Sequence, residues 1–225
     1  MPYDIKSIKA RYELPDGTPY DNPLGDLHHR NERLTGVSDL KLYANFGIDE
    51  WRLSAGLNLP VGRIEEDPWR LADLGLKHQH VQFGTGTFDP LVRVARAIHL
   101  AEGVDLAAAA GAHVPIFVNR KGYRAPMLAD FAIGPRVRIS DAISISATYS
   151  VLYQGGAKWH GERDPNTGYT VQGIQLSVPI RVGGDVLIVP NVFRTFSAAA
   201  RGSSDSFEMD WIVGLSVEIP LGGSD

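Results

Sequence analysis

Three stretches of this chain alternate apolar and polar residues over nine or more positions, and that limits the fold more than any motif does. From Trp51 to Leu59 one side reads Trp51, Leu53, Ala55, Leu57, Leu59, and the other Arg52, Ser54, Gly56, Asn58. From Ile143 to Tyr153 the apolar side is Ile143, Ile145, Ala147, Tyr149, Val151, Tyr153, against Ser144, Ser146, Thr148 and Ser150, with Leu152 as the exception. From Phe207 to Ile219, Phe207, Met209, Trp211, Val213, Leu215, Val217 and Ile219 oppose Glu208, Asp210, Ile212, Gly214, Ser216 and Glu218. A period of two sends successive side chains to opposite faces of a strand. At about 3.3 Å per residue, such stretches reach roughly 30 to 43 Å, whereas a globular strand has about 5 to 6 residues. A tilted strand that crosses a bilayer needs about 9 to 11 residues, with aromatic side chains near the ends of the apolar band. Trp51, Tyr153 and Phe207 fall at such ends.

Weaker alternation recurs at 3–14, 37–46, 123–139, 169–180 and 186–196. With 91–100 and 104–116 these make ten candidate strands. The connections alternate in length, long at 15–35, 60–86, 154–168 and 197–206 and short at 47–50, 101–103 and 182–185, while 117–122 and 140–142 fit the same order less sharply. Long loops on one side and tight turns on the other describe a meandering barrel. Val182-Gly183-Gly184-Asp185 has suitable hairpin chemistry. The segment after Asp89-Pro90 can also be written as a helix, with Asp89 as N-cap. As a strand it sets Arg93 and His99 on one face and Arg96 beside Val92, Val94, Ile98 and Leu100 on the other. An arginine turned to lipid costs roughly 2 to 4 kcal/mol at mid-depth and little near an interface. The strand reading is preferred.

Composition removes several functions. Lys and Arg number 22 against 26 acidic residues, for a net charge of −4, so there is no basic footprint for nucleic acid. Cysteine is absent, which excludes disulfides, thiolate metal sites and cysteine nucleophiles together. Met1 to Leu14 has no apolar run of the signal type, and no stretch of about 18 apolar residues forms a membrane helix. A β-barrel escapes that test, because its strands alternate.

The chemistry-bearing stretch is His78-Gln79-His80-Val81-Gln82-Phe83-Gly84-Thr85-Gly86-Thr87-Phe88-Asp89-Pro90. On a strand His78 and His80 would share a side, with His28, His29 or a carboxylate to complete a metal site, but no HExxH accompanies them. Gly84-Thr85-Gly86 lacks the remaining residues of a dinucleotide fingerprint or P-loop. No GxSxG supports a serine triad with His78 or His160 as base, and Glu65-Glu66 and Glu208 with Asp210 read as loop and lumen charges. The expectation is structural. A polar loop re-enters the barrel, the glycines let it bend, and Asp89-Pro90 fixes the next turn.

Four blocks carry a family resemblance: Thr35-Gly36-Val37-Ser38-Asp39-Leu40, Gly56-Leu57-Asn58-Leu59-Pro60-Val61-Gly62-Arg63, His78 to Pro90, and Asn119-Arg120-Lys121-Gly122-Tyr123-Arg124. In this order they resemble the Gram-negative outer-membrane β-barrel family labelled transporter-like or meta-pathway of phenol degradation protein, over roughly residues 35 to 220. The resemblance implies an outer-membrane barrel that passes small, aromatic or hydrophobic compounds, and brings no catalytic residues. Its loop positions here are His78, His80, Gln82, Gly84, Gly86, Asp89 and Pro90.

The expectation is therefore one all-β domain over 1–225: an antiparallel up-and-down barrel of transmembrane type with about ten strands, or twelve if N-terminal strands are missing. It would be porin-like, lie in the bacterial outer membrane with its export signal outside this chain, need no cofactor or metal, and touch lipid and a small solute but no nucleic acid. Its lumen would be lined by Asp39, Lys41 and Asn45 on one strand and Arg52, Ser54 and Asn58 on the next. Ser144, Ser146, Thr148 and Ser150 would add a third wall, and Glu208, Asp210 and Glu218 a fourth. The alternative is a soluble or periplasmic β-barrel with its faces reversed, holding a small apolar ligand inside.

Overall fold

The computed structural model describes residues 3–8, 14, 16–19, 32–78, 80, 82–165, 167–183, 186–200 and 211–218. Its main sheet begins with β3 (Leu40–Ile48) and β4 (Trp51–Leu59), then β5 (Asp89–Ala101) and β6 (Val104–His113). After them come β8 (Leu128–Arg138), β9 (Ser144–Gln154), β12 (Tyr169–Ser177), β14 (Leu187–Ala200) and β15 (Ile212–Glu218). Each pairs antiparallel with the next, and β13 (Ile180–Arg181) adds a short pairing on β14, giving ten strands in one sheet. This is the all-β up-and-down meander, of outer-membrane-barrel type, that the alternation implies. Among the described residues no pairing joins β3 to β15.

The register shows why the alternation matters. Cross-strand partners share a face, so Leu53, Val94 and Ala110 stand in one row, and Ser54, Arg93, Gly111 and Asp130 in the row behind it. The first face is apolar, and among the described residues nothing covers it. Val213 is 82% exposed and Leu215 69% on β15, and Leu42, Phe46, Trp51, Val92, Ile145 and Leu176 are exposed likewise. Buried apolar side chains lie mostly elsewhere. Tyr123, Ala125, Ala157 and Trp159 form one cluster, with Trp69 packed against it, among the loops at one end of the sheet.

That end holds the long connections 60–88, 114–127 and 155–168, while turns 49–50, 102–103, 139–143 and 178–186 close the other. The loops carry their own structure: α1 (Pro68–Asp73) and a three-stranded sheet of β7 (Tyr123–Arg124), β10 (Lys158–Trp159) and β11 (Glu162–Arg163). A two-stranded sheet of β1 (Tyr3–Ile8) and β2 (Glu32–Val37) stands apart from the main one.

Several boundaries differ from those read from sequence. The stretch 123–139 is not one strand: Tyr123–Arg124 joins the loop sheet, and the main-sheet strand starts only at Leu128, after Pro126, which has no N–H to give a ladder. The strand at 104–116 stops at His113, before Pro115. Tyr3–Ile8 pairs with Glu32–Val37, inside a connection read as loop. Of the hairpin turn at Val182, Gly183 has φ +57°, while Gly184 and Asp185 lie outside the described residues. So do 207–210 of the last strand and His28 and His29.

Candidate functional site

Two zones of the polar face have built geometry: a knot under the long loops and an open wall toward the turns.

The knot is centred on Asp39, just before β3. Its carboxylate accepts from Gly62 N at 2.9 Å, Thr85 N at 2.7 Å, Thr85 Oγ1 at 3.0 Å and Asn58 Nδ2 at 2.7 Å. Asn58, 1% exposed, also reaches toward Asp89, which is fully buried. Thr87 Oγ1 donates to Asp89 at 2.6 Å, and His113 Nε2 lies 3.3 Å from it. Buried carboxylates survive only when their oxygens are occupied this way. Gly62 and Gly84 cross directly over Asp39. A Cβ on either would meet Asp39 Oδ1 at 2.7 or 2.6 Å and the other's Cα at 2.8 Å, so only hydrogen fits.

The remaining loop positions brace the knot. Gln82 Oε1 accepts from Glu65 N at 2.8 Å, Gly84 N donates to Arg63 O, and Gly86 turns with φ +72° beneath Asn119, whose Nδ2 donates to Thr85 O. Pro90 opens β5 opposite Leu57, and its carbonyl accepts from Val114 N. His78 does not share a strand with His80. Their rings meet edge to face at 5.5 Å, His80 meets Trp69 at 5.0 Å, and His78 Nδ1 lies 3.0 Å from Leu76 O. Among the described residues no group of three or more His, Cys, Asp or Glu side chains gathers to hold a metal. Asp67 caps α1 through Trp69 N and Arg70 N, and His160 Nε2 approaches it at 3.4 Å. Burial, with the Asp164 carboxylate adding to it, holds the Tyr123 phenol above the usual tyrosine range.

Thus the structure brings the four sequence blocks, far apart in the chain, to one place around Asp39 and Thr85.

The open wall is different. Asn45 accepts from Ser54 Oγ at 2.7 Å, Ser146 and Ser177 hydroxyls meet at 2.7 Å, and Lys41 lies opposite Asn58. Arg93 on β5 reaches across β6 to Asp130 on β8 at 2.6 Å, over Gly111. Toward the turns, Arg52 and Thr148 line a hollow of about 390 Å³. Ser144 pairs with Arg138, and Ser150 with Ala132 and Gly173. Glu208 and Asp210 lie outside the described residues, and Glu218 ends β15 opposite Leu187. Sequence reading set Thr85 and Thr87 in the loop block without a role of their own, and missed His113, Asp130 and Arg136. Asp130 and Arg136 were detectable, since both fall on the polar alternation of 128–138.

No family model matches the chain, and no curated protein matches it in sequence. Among solved structures it is similar to the COG4313 outer membrane channel from Pseudomonas putida F1, at 12% identity and a TM-score of 0.58. The fold is that of an outer-membrane barrel. The match covers 82% of this chain and 66% of that channel, so the chain spans just under two thirds of its length. On the sheet, the Asp39 knot lies at the end of the long loops and Arg52 toward the turns.

Proposed function

We propose that this chain forms a narrow passage through the bacterial outer membrane for small solutes, aromatic or hydrophobic ones among them, and that it does so without catalysis. One observation carries the reading: the apolar rows of the long strands are left uncovered while charges and hydroxyls pair on the opposite face. In a soluble ligand-binding barrel those apolar rows would be the buried centre. The likeness of the fold to an outer membrane channel and the resemblance of the four blocks to transporter-like barrels support the same reading. About ten strands leave a narrow path, since eight are filled by side chains and 16 to 18 make an open channel. The Asp39 knot narrows one mouth further.

The test is reconstitution of the detergent-purified chain into planar bilayers and solute-loaded vesicles. Discrete conductance steps and flux of small solutes are expected. Absence of both, or recovery of folded protein from the aqueous phase without detergent, would sink the proposal in favour of the soluble barrel.

A further inference from the structure

The hollow on the open wall has a chemistry the passage reading does not use. Its floor is a patch of small side chains from three adjoining strands, Ala95 and Ala97 on β5, Ala107 and Ala109 on β6, and Ala132 on β8, all on the polar face by register. Arg52 from β4, Arg136 from β8 and Thr148 from β9 line it as well. Among the described residues neither Arg52 nor Arg136 has a hydrogen-bond or ion-pair partner, unlike the others nearby. Arg96 is held by Glu50 at 2.6 Å, Arg93 by Asp130 at 2.6 Å, and Asp105, opposite Arg136, lies 3.0 Å from His99. With Arg96 paired to Glu50 and standing on the apolar face, the polar side of the hollow keeps two positive charges. A neighbouring hollow of about 420 Å³, lined by Asn45, Gly47, Ser54 and Arg93, shares Arg52 and Ala95 with it. Arg52 therefore stands between two consecutive spaces along the wall.

We infer that the hollow lined by Arg52 and Arg136 is a binding site for a small carboxylate with a flat apolar body, the carboxylate taken by these unpaired guanidiniums and the body lying on the alanine surface. The planar fork of arginine matches a carboxylate with two parallel hydrogen bonds, and an unpaired guanidinium has both to give. Alanine supplies apolar surface while leaving room above it. A volume of about 390 Å³ lies within the range of small-molecule sites, roughly 300 to 1,000 Å³. The site deepens the passage proposal by naming its solute class, yet binding can be measured without any passage.

The experiment titrates benzoate into the detergent-solubilised full chain by calorimetry, with benzyl alcohol as the neutral analogue and acetate as the anion without a ring. Benzoate should bind at least tenfold more tightly than either. Arg52→Gln with Arg136→Gln should remove that preference, and Ala109→Leu, which fills the floor and keeps both charges, should weaken benzoate but not acetate. Arg138→Gln serves as control, and unchanged heat-dependent gel migration verifies each fold. Equal binding of benzoate and benzyl alcohol, or benzoate binding unaltered in the double variant, would overturn the site. If bilayers show no conductance while arginine-dependent binding persists, the passage falls and the site stands. Conductance without benzoate binding gives the converse.

Discussion

Four donors converge on the Asp39 carboxylate, two of them backbone N–H groups from loop residues Gly62 and Thr85. Asp39→Ala would leave them all buried without their acceptor. With unsatisfied buried groups costing about 1 to 3 kcal/mol each and partial relief by water, a loss of about 3 kcal/mol is expected, read as a lower urea midpoint in detergent. Single-channel conductance should rise as the loop loosens. At the Arg93–Asp130 pair, 44% and 39% exposed, solvent screening limits the stability at stake to about 1 kcal/mol or less. Arg93→Gln should therefore barely move the midpoint, while the reversal potential in a KCl gradient shifts toward cation selectivity, because Asp130 is left uncompensated. Asp39 and Asn58 are visible in the sequence as polar positions on alternating strands. Their burial is not, since it comes from a loop whose return path depends on Gly62 and Gly84 touching across 22 positions of chain.

Among elements, two of the three Asp-Pro dipeptides are instructive. Asp67-Pro68 starts a helix and Asp89-Pro90 starts a strand. Asp67 is placed to accept from the first helical N–H groups, whereas the Asp89 carboxylate is taken up by Thr87, Asn58 and His113 and caps nothing. Local signals were equal, and tertiary hydrogen bonds decided. Two-residue alternation survived best, because register follows from it directly: β4 and β9 lie within one residue of the stretches read from sequence. Arg96 does lie on the apolar face, level with the turn before Trp51, over whose ring it sits at 5.1 Å while paired with Glu50. That placement fits an interface, where the cost is small. On β15, Val213→Arg should cost about 2 to 4 kcal/mol in a vesicle unfolding titration, against about 0 to 1 kcal/mol for Ser216→Arg on the other face. In the loop sheet, Tyr123 packs on Trp159 at 4.7 Å with its phenol kept protonated. Above about pH 10 the unfolded phenol ionises and the folded one does not, so stability falls as pH rises. Tyr123→Phe should remove that alkaline loss, followed by tryptophan fluorescence.

For the whole molecule, the distribution of apolar side chains is the inverse of a soluble protein's. The long strands expose theirs, and a small buried cluster sits in the loops. Surface of that extent, uncovered among the described residues, calls for a nonaqueous surrounding. Everything proposed for the lumen follows from this arrangement. The absence of cysteine makes its direct test clean. Ala147 and Ser146 are adjacent on β9, Ala147 paired with Leu176 on the apolar face and Ser146 bonded to Ser177 on the polar one. Nitroxide labels on Ala147→Cys and Ser146→Cys, in lipid vesicles, would be compared for relaxation by oxygen, which concentrates in hydrocarbon, and by a water-soluble nickel chelate. The account predicts that oxygen dominates at 147 and the chelate at 146. Chelate access at 147 with a shielded, oxygen-relaxed label at 146 would contradict it.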